Sequence, residues 1–423
     1  MPAQRLGYVR GLDGLRGVAI VGVLQYHLGL YGSMLGWTGV QLFFVISGFL
    51  ITRILLAARD DAHPFRSFYI RRALRIFPIY YLFLLIVVAW HLGTGASDRL
   101  QSLPFYLTYT QNMPAVSLGG GLFAAMHTWS LAIEEQFYWL WPLAVLLLRP
   151  ARLKYLIPAL IIAAPMWRYL VIATGASQQL ATGALPSQMD SILVGAALAV
   201  ALYFGLSHAA LRRVGWSAVA IGGAGVVALA ANIGLESFWD FRDWTGAHLG
   251  FVFLSAVAIL FGGVVALVVT GVAADALERE PIVWAGRRSY GLYLYHGLVF
   301  FLVDRASEGF LSPLVGSALG RLVLMVLKLG LSFAVAAFSW RFIEKPILRL
   351  KDRLAPTTQR LGQANRPNLV DHSASAESGR TSRETDHRPS YATMPPVSSA
   401  SVRDAANANP MTADWQCIGP EDS

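Results

Sequence analysis

Cysteine is nearly absent: the single residue, Cys417, lies in a polar C-terminal stretch, so no disulfide can form within the chain. Charge is scarce too. Only 14% of the 423 residues are Asp, Glu, Lys or Arg, against about 25% in an ordinary globular protein. Three familiar patterns are missing: G-x-x-x-x-G-K-[ST], H-E-x-x-H and G-x-S-x-G. Their absence removes the usual signs of a phosphate-loop NTPase, a zinc protease and an α/β-hydrolase. The histidines lack metal-ligand spacing, so no metal is expected. No internal repeat stands out, which argues against the inverted-repeat transporter folds.

What the chain has instead is apolar length. It is 55% hydrophobic, in runs of 18 or more residues with few charges, the length needed to cross a bilayer core. The expected spans are 12–30, 37–57, 74–92, 128–148, 155–173, 188–205, 214–232, 247–270, 290–304 and 317–342. The fold class that follows is all-α, a polytopic transmembrane bundle of about ten helices. The first, fourth and ninth spans are less purely apolar than the rest and are expected to line an interior. Arg5 and Arg10 precede the first run as in a signal peptide. That run contains Asp13 and Arg16 and lacks a small-residue cleavage site, so it reads as a retained helix.

The net charge of +9 is not a nucleic-acid signal, because most Lys and Arg sit in short connections between apolar runs. With the N-terminus inside, the cytoplasmic segments collect Arg59, Arg66, Arg71, Arg72 and Arg75, then Arg149, Arg152 and Lys154, Arg212 and Arg213, Arg279, Arg287 and Arg288, and Lys345, Arg349, Lys351 and Arg353. The outer connections hold little beyond Arg99, Arg242 and Arg305. This asymmetry places both termini in the cytoplasm and requires an even number of spans. The long outer connection 93–127, with Gly119, Gly120 and Gly121, reads as a partly ordered lid or re-entrant segment. Residues 1–354 form the membrane domain. The stretch 355–423 is polar and aperiodic, too poor in apolar surface to fold alone, and reads as a disordered cytoplasmic tail.

Ionisable residues inside spanning helices mark functional sites by default. Arg16 and His27 are eleven residues apart on the first helix, nearly three turns, so they project from one face roughly 16 Å apart along the axis. Arg16 alone could equally be a snorkelling anchor. Ser47 and Gly48 on the second helix are small, and close helix packing alone would explain them. Arg72 and Arg75 share a helical face at the cytoplasmic boundary. Paired guanidiniums suit bidentate phosphate binding, although a positive-inside cluster would look the same. Glu134 and Glu135 enter the fourth helix near its outer end, about 100° apart, so at most one faces a given site. Such a carboxylate could orient His27 as a base needs. His127 lies seven residues before Glu134, on the same side if the helix is continuous. Asp190 starts the sixth helix, where an N-cap or dipole role is the plain reading. Tyr290 and His296 open the ninth helix, and Glu344 closes the tenth, where it is expected to pair with an arginine.

In order along about 340 residues, several pieces together resemble the membrane acyltransferase-3 family. They are the Arg16-to-His27 spacing, Phe43 to Thr52, Arg72 with Arg75, Trp129 to Pro142, Tyr290 to His296, and Glu344 with Pro346. The resemblance implies a ten-helix bundle in the bacterial cytoplasmic membrane. It also implies an O-acyltransferase that takes an acyl group, by default acetyl, from cytoplasmic acyl-coenzyme A to a hydroxyl of a saccharide, glycolipid or macrolide. Acyl-coenzyme A is then donor substrate, with no tightly bound cofactor and no nucleic-acid partner. Arg16, Arg72 and Arg75 would hold the coenzyme A phosphates. His27 would act as base or nucleophile, with Glu134 or Glu135 as its partner. The rival from another class is a proton-coupled transporter using His27, Glu134 and Asp190 as its path.

Overall fold

Each expected apolar run is a helix in the computed structural model, which describes residues 7–29, 34–113, 116, 121–176, 178–233, 250–309 and 311–355. The ten long helices are α1 (Arg10–His27), α2 (Met34–Ala57), α3 (Pro64–Gly93), α4 (Trp129–Leu147), α5 (Pro150–Ala173), α6 (Leu185–Tyr203), α7 (His208–Ile233), α8 (Gly250–Val269), α9 (Ser289–Glu308) and α10 (Ala318–Ser339). No strand occurs among the described residues. Seven helices are long and apolar enough to cross a membrane. The three that fall short are α1, α4 and α9, the ones expected to line an interior. Helices that spend part of their length on charged and polar groups must bury them against protein, since lipid offers no partner. The chain is a multi-pass membrane protein.

Most ends lie within a few residues of expectation, but α3 starts ten residues early, at Pro64 instead of 74. Proline at the first helical position loses no hydrogen bond and has its φ already set for a helix. The extra turns carry Arg66, Arg71 and Arg72 on the helix itself, the last two one turn ahead of Arg75. At the other extreme, α10 runs into a π turn, Trp340–Glu344, and then a short helix, Lys345–Leu348. Pro346 cannot donate to a carbonyl one turn back, and its ring would press on that carbonyl. A widened turn accommodates both constraints.

Contact between helices depends on residues without side chains. A Cβ on Gly48 of α2 would run into the carbonyl oxygen of Ile192 on α6, and one on Gly195 of α6 into that of Val45 on α2. Without a hydrophobic drive inside lipid, such backbone-to-backbone approach is how spanning helices gain van der Waals contact. Gly48 is therefore a packing residue. Gly286, in the short helix Glu280–Arg287, plays the same part against the carbonyl of Asp13 on α1.

The connection from α3 to α4 is tied down rather than loose in its described parts. It holds a 3-10 turn at Ser97–Ser102, a short helix at Leu103–Leu107 and a second 3-10 turn at Phe123–Thr128. Tyr80 of α3 donates to Tyr106 O at 2.9 Å, Gln136 of α4 to Tyr109 O at 2.8 Å, and Gln111 back to Thr128 O at 2.9 Å. Gly119, Gly120, Arg242 and the tail beyond residue 355, with Cys417, lie outside the described residues.

Candidate active site

At the end of the bundle that carries the start of α1, a cavity opens between α1, α2, α3, α4 and α9. Its walls include Arg16, Ser47, Arg71, Arg72, Arg75, Glu134, Glu135, Tyr138, Tyr290 and Lys351, with an apolar lining from Phe43, Phe44, Leu50 and Ile51. Including its open mouth, it encloses about 1360 Å³ of space. The three arginines singled out by spacing therefore converge on one hollow, although they come from two helices far apart in sequence. Arg16 stands within electrostatic reach of Asp13 and Glu134, and Arg75 of Asp13, Glu134 and Glu344. The Arg72 guanidinium sits over the Tyr138 ring at 5.2 Å from its centroid. A flat cation on an aromatic face keeps its edge donors available to a ligand.

Both glutamates line the cavity, although a 100° step led to the expectation that at most one would. Glu134 accepts from Ser47 Oγ at 2.6 Å, while Tyr138 donates to the same Ser47 oxygen at 3.2 Å. Glu135 is buried, and its Oε1 has no hydrogen-bond partner. Tyr290 donates to Ile76 O at 3.3 Å, which ties α9 to α3.

His27 does not meet either glutamate. Its ring packs against two other imidazoles, His296 with centroids 4.8 Å apart and His127 at 6.3 Å; those two are 4.6 Å from each other. His27 remains accessible, whereas His127 and His296 are buried behind it. His127 and Glu134 make no hydrogen bond with each other among the described residues. His127, in the 3-10 turn before α4, packs its ring against Tyr293 and His296 of α9, while Glu134 is bonded to Ser47 of α2. The histidine cluster and the cavity adjoin all the same. Tyr293, a cavity-lining residue, has its ring 5.4 Å from His127 and 5.7 Å from His296. Its hydroxyl joins Ser130 Oγ at 2.6 Å and donates to His127 O at 2.6 Å. Ser130 and Tyr293 thus form the partition between the basic hollow and the three rings.

Two further expectations need correction. Asp190 is not a helix cap. It lies in the second turn of α6, buried, and forms an ion pair with Arg168 of α5 at 2.7 Å, with Ser255 of α8 donating to it at 2.6 Å. Among the described residues no hydrogen bond or ion pair links Asp190 to His27 or Glu134. Glu344 makes no ion pair among the described residues; it is buried in the π turn and accepts from Ser339 at 3.1 Å, with Arg75 and Arg288 within electrostatic reach.

Sequence reading missed Arg168 and undervalued Asp13. Arg168 is buried, a charge inside the apolar run of α5, and that oddity was visible in the sequence. Asp13 accepts from Tyr8 and lies 3.6 Å from Arg287 Nε. Its partners are remote in sequence, and nothing in the local pattern named them. No group of His, Cys, Asp and Glu suited to holding a metal occurs among the described residues.

A bundle whose less apolar helices enclose a basic hollow backed by imidazoles has the makings of a membrane-embedded group-transfer enzyme. The chain belongs to the acyltransferase-3 family, whose acyltransferase-domain profile matches residues 9–340. It is 29% identical over 366 residues to the peptidoglycan O-acetyltransferase OatA of Listeria monocytogenes, an alignment covering 80% of this chain and 56% of the relative. It is likewise 29% identical over 358 residues to the O-acetyltransferase OatA of Staphylococcus aureus, covering 80% and 57%. The chain spans little more than half the length of these curated relatives. No solved structure matches it significantly.

Proposed function

We propose that this protein is an O-acetyltransferase of the bacterial cytoplasmic membrane, moving acetyl from acetyl-coenzyme A to a hydroxyl of a cell-surface saccharide. Both termini face the cytoplasm in this reading, because the basic end of the bundle is the end that Lys and Arg hold inside. The observation that carries the reading is the convergence of Arg16, Arg72 and Arg75 on one hollow whose floor, Ser130 and Tyr293, backs onto His27, His127 and His296.

The chemistry follows from the two ends. Phosphate groups of the donor suit a set of guanidiniums held at fixed spacing, since each can give two parallel charge-assisted bonds. The roughly 16 Å rise from Arg16 to His27 along α1 gives an extended arm room to carry a thioester towards the histidines. An imidazole close to the acceptor hydroxyl removes its proton as the oxygen attacks the thioester carbonyl. The C–S bond then breaks and the sulfur leaves as the thiol. His27 is the group for that task because it is the accessible ring of the three. The acceptor class is taken from the relatives, one of which is named for peptidoglycan; a muramic- or glucosamine-type glycan is the first acceptor to try.

Membranes containing the protein, labelled acetyl-coenzyme A and a panel of glycans, glycolipids and macrolides make the test. Label on a saccharide with the wild type, and none with His27→Ala at equal protein level, is the expected result. Transfer that survives His27→Ala would remove that residue from the chemistry, and no transfer to any acceptor with several thioesters would overturn the reading.

A further inference from the structure

A histidine base normally borrows a carboxylate to hold its second nitrogen, yet no carboxylate makes a hydrogen bond or ion pair with any of the three rings among the described residues. Glu134, the obvious candidate, is spent on Ser47. What packs against His27 instead is another imidazole in a fixed tautomer, the ring of His296 with centroids 4.8 Å apart. His296 donates from Nδ1 to Tyr293 O at 2.6 Å, with Leu292 O at 3.2 Å. Both acceptors are carbonyls, so the proton must reside on Nδ1 and Nε2 must carry the lone pair. That Nε2 is buried and has no partner, on a residue that is 0% exposed.

His127 is pinned as well. Its Nε2 donates to Leu294 O at 3.2 Å, and a Cβ on Gly297 would sit 2.5 Å from its Nδ1, so only glycine leaves room for the ring. The stretch Leu292–Gly297 of α9 therefore does one job with its backbone: three carbonyls and one missing side chain hold two imidazoles against His27. A buried acceptor left without a partner is costly, so it persists where something else needs it.

Resting on the acyl-transfer reading above, we propose that His296 is the positioning and proton-accepting partner of His27, an imidazole in the place a carboxylate usually takes. In the reacting complex His27 donates from one ring nitrogen to His296 Nε2, a closing-up of rings whose centroids are 4.8 Å apart in this structure, and keeps a lone pair on the other. As the acceptor hydroxyl attacks the thioester, its proton goes to that lone pair, and the proton on the far nitrogen moves to His296 Nε2. When the C–S bond breaks the flow reverses, and the thiolate sulfur takes the proton. The sum is thioester plus alcohol to ester plus thiol, with both imidazoles returned to their starting states. His127 supplies the rigid wall against which the other two rings pack edge-on.

The test compares His296→Gln, which can place a carbonyl oxygen where Nε2 stands, with His296→Phe, which fills the same volume beside Phe300 but accepts nothing. Initial rates are measured on the full-length protein with acetyl-coenzyme A and a peptidoglycan-derived disaccharide. The expected result is kcat in the order wild type, Gln, Phe, with the Phe variant down about 100-fold or more and the KM for donor within a few-fold of wild type. If Phe equals or exceeds Gln, or if both keep the wild-type kcat, the ring is merely packing and the proposal falls. Should either variant fail to run as a single peak in detergent, His296→Asn replaces it. That variant keeps the bond to Tyr293 O, lacks the Nε2 acceptor, and must fall as Phe does. A wild type without transfer would sink the acyl-transfer reading itself, whereas a dead His27→Ala beside fully active His296 variants would sink only the relay.

Discussion

Ser47 on α2 donates to Glu134 on α4 at 2.6 Å, a bond between two helices that share a cavity wall and are 87 residues apart in sequence. It holds Glu134 in the cavity wall and leaves His27 to the other imidazoles. Removing the donor from a half-buried carboxyl group costs about 1–3 kcal/mol. Ser47→Ala is expected to lower the melting temperature in detergent and cut transfer about tenfold, while Ser47→Thr retains most of both. An unchanged melting curve for Ala would show that the bond carries no load.

Donor binding is expected to respond to charge at Arg72. Arg72→Glu replaces an attraction with a repulsion at the cavity wall, and a lost charge-assisted bond is worth about 1.5–3 kcal/mol. The KM for acetyl-coenzyme A should therefore rise by about 10- to 100-fold, with the KM for acceptor unchanged. Steady-state kinetics with each substrate varied in turn checks this, and equal changes in both would argue against a phosphate role.

Arg168 and Asp190 form an ion pair whose side chains are 2% and 1% exposed. Breaking one side strands the other charge and costs about 3–5 kcal/mol, whereas apolar replacement of both is close to neutral. Asp190→Leu alone should abolish accumulation of folded protein, and adding Arg168→Met should restore much of it, as read by fluorescence-detected size exclusion. A double variant no better than the single would mean the pair does more than neutralise itself.

Packing at Gly48 predicts a steric outcome. Gly48→Leu forces α2 away from α6 where the Ile192 carbonyl touches it. Overpacking of this kind costs about 1–3 kcal/mol or more, so a clear fall in melting temperature is expected. An unaltered melting temperature would contradict the close approach.

Tyr8, ahead of the first span, has its hydroxyl pushed up to about 12 by burial first and by the neighbouring Asp13 second. The folded value is raised above the ordinary 10.0, so its stabilisation is fully present below pH 10 and is lost as pH rises through 12. The wild type should lose melting temperature over that window more than Tyr8→Phe does. Parallel alkaline curves for the two proteins would show that the bond to Asp13 is not coupled to stability.

The spans, their number and the unusual character of α1, α4 and α9 were all legible in the chain. Each depends on local composition: an apolar stretch of fixed length must be helical in lipid, because every backbone group needs an internal partner. The Arg72–Arg75 pair was legible for the same reason, being three residues apart on one helix. Helix ends were less so, since Pro64 extended α3 beyond its apolar run.

Partners at long range were not legible. Sequence spacing suggested a glutamate for His27, because both lie on the expected depth of their helices. Only the tertiary structure turned Glu134 to Ser47, placed Asp190 on Arg168 and brought His27, His127 and His296 into contact. Depth along a helix follows from counting residues. Azimuth and neighbour depend on how α1, α4 and α9 rotate and close on one another, and close approach is permitted by backbone notches at glycine. By itself the sequence determined the membrane helices and the ionisable groups along them; folding decided which of those groups meet, because contact energies between helices are not written in any one of them.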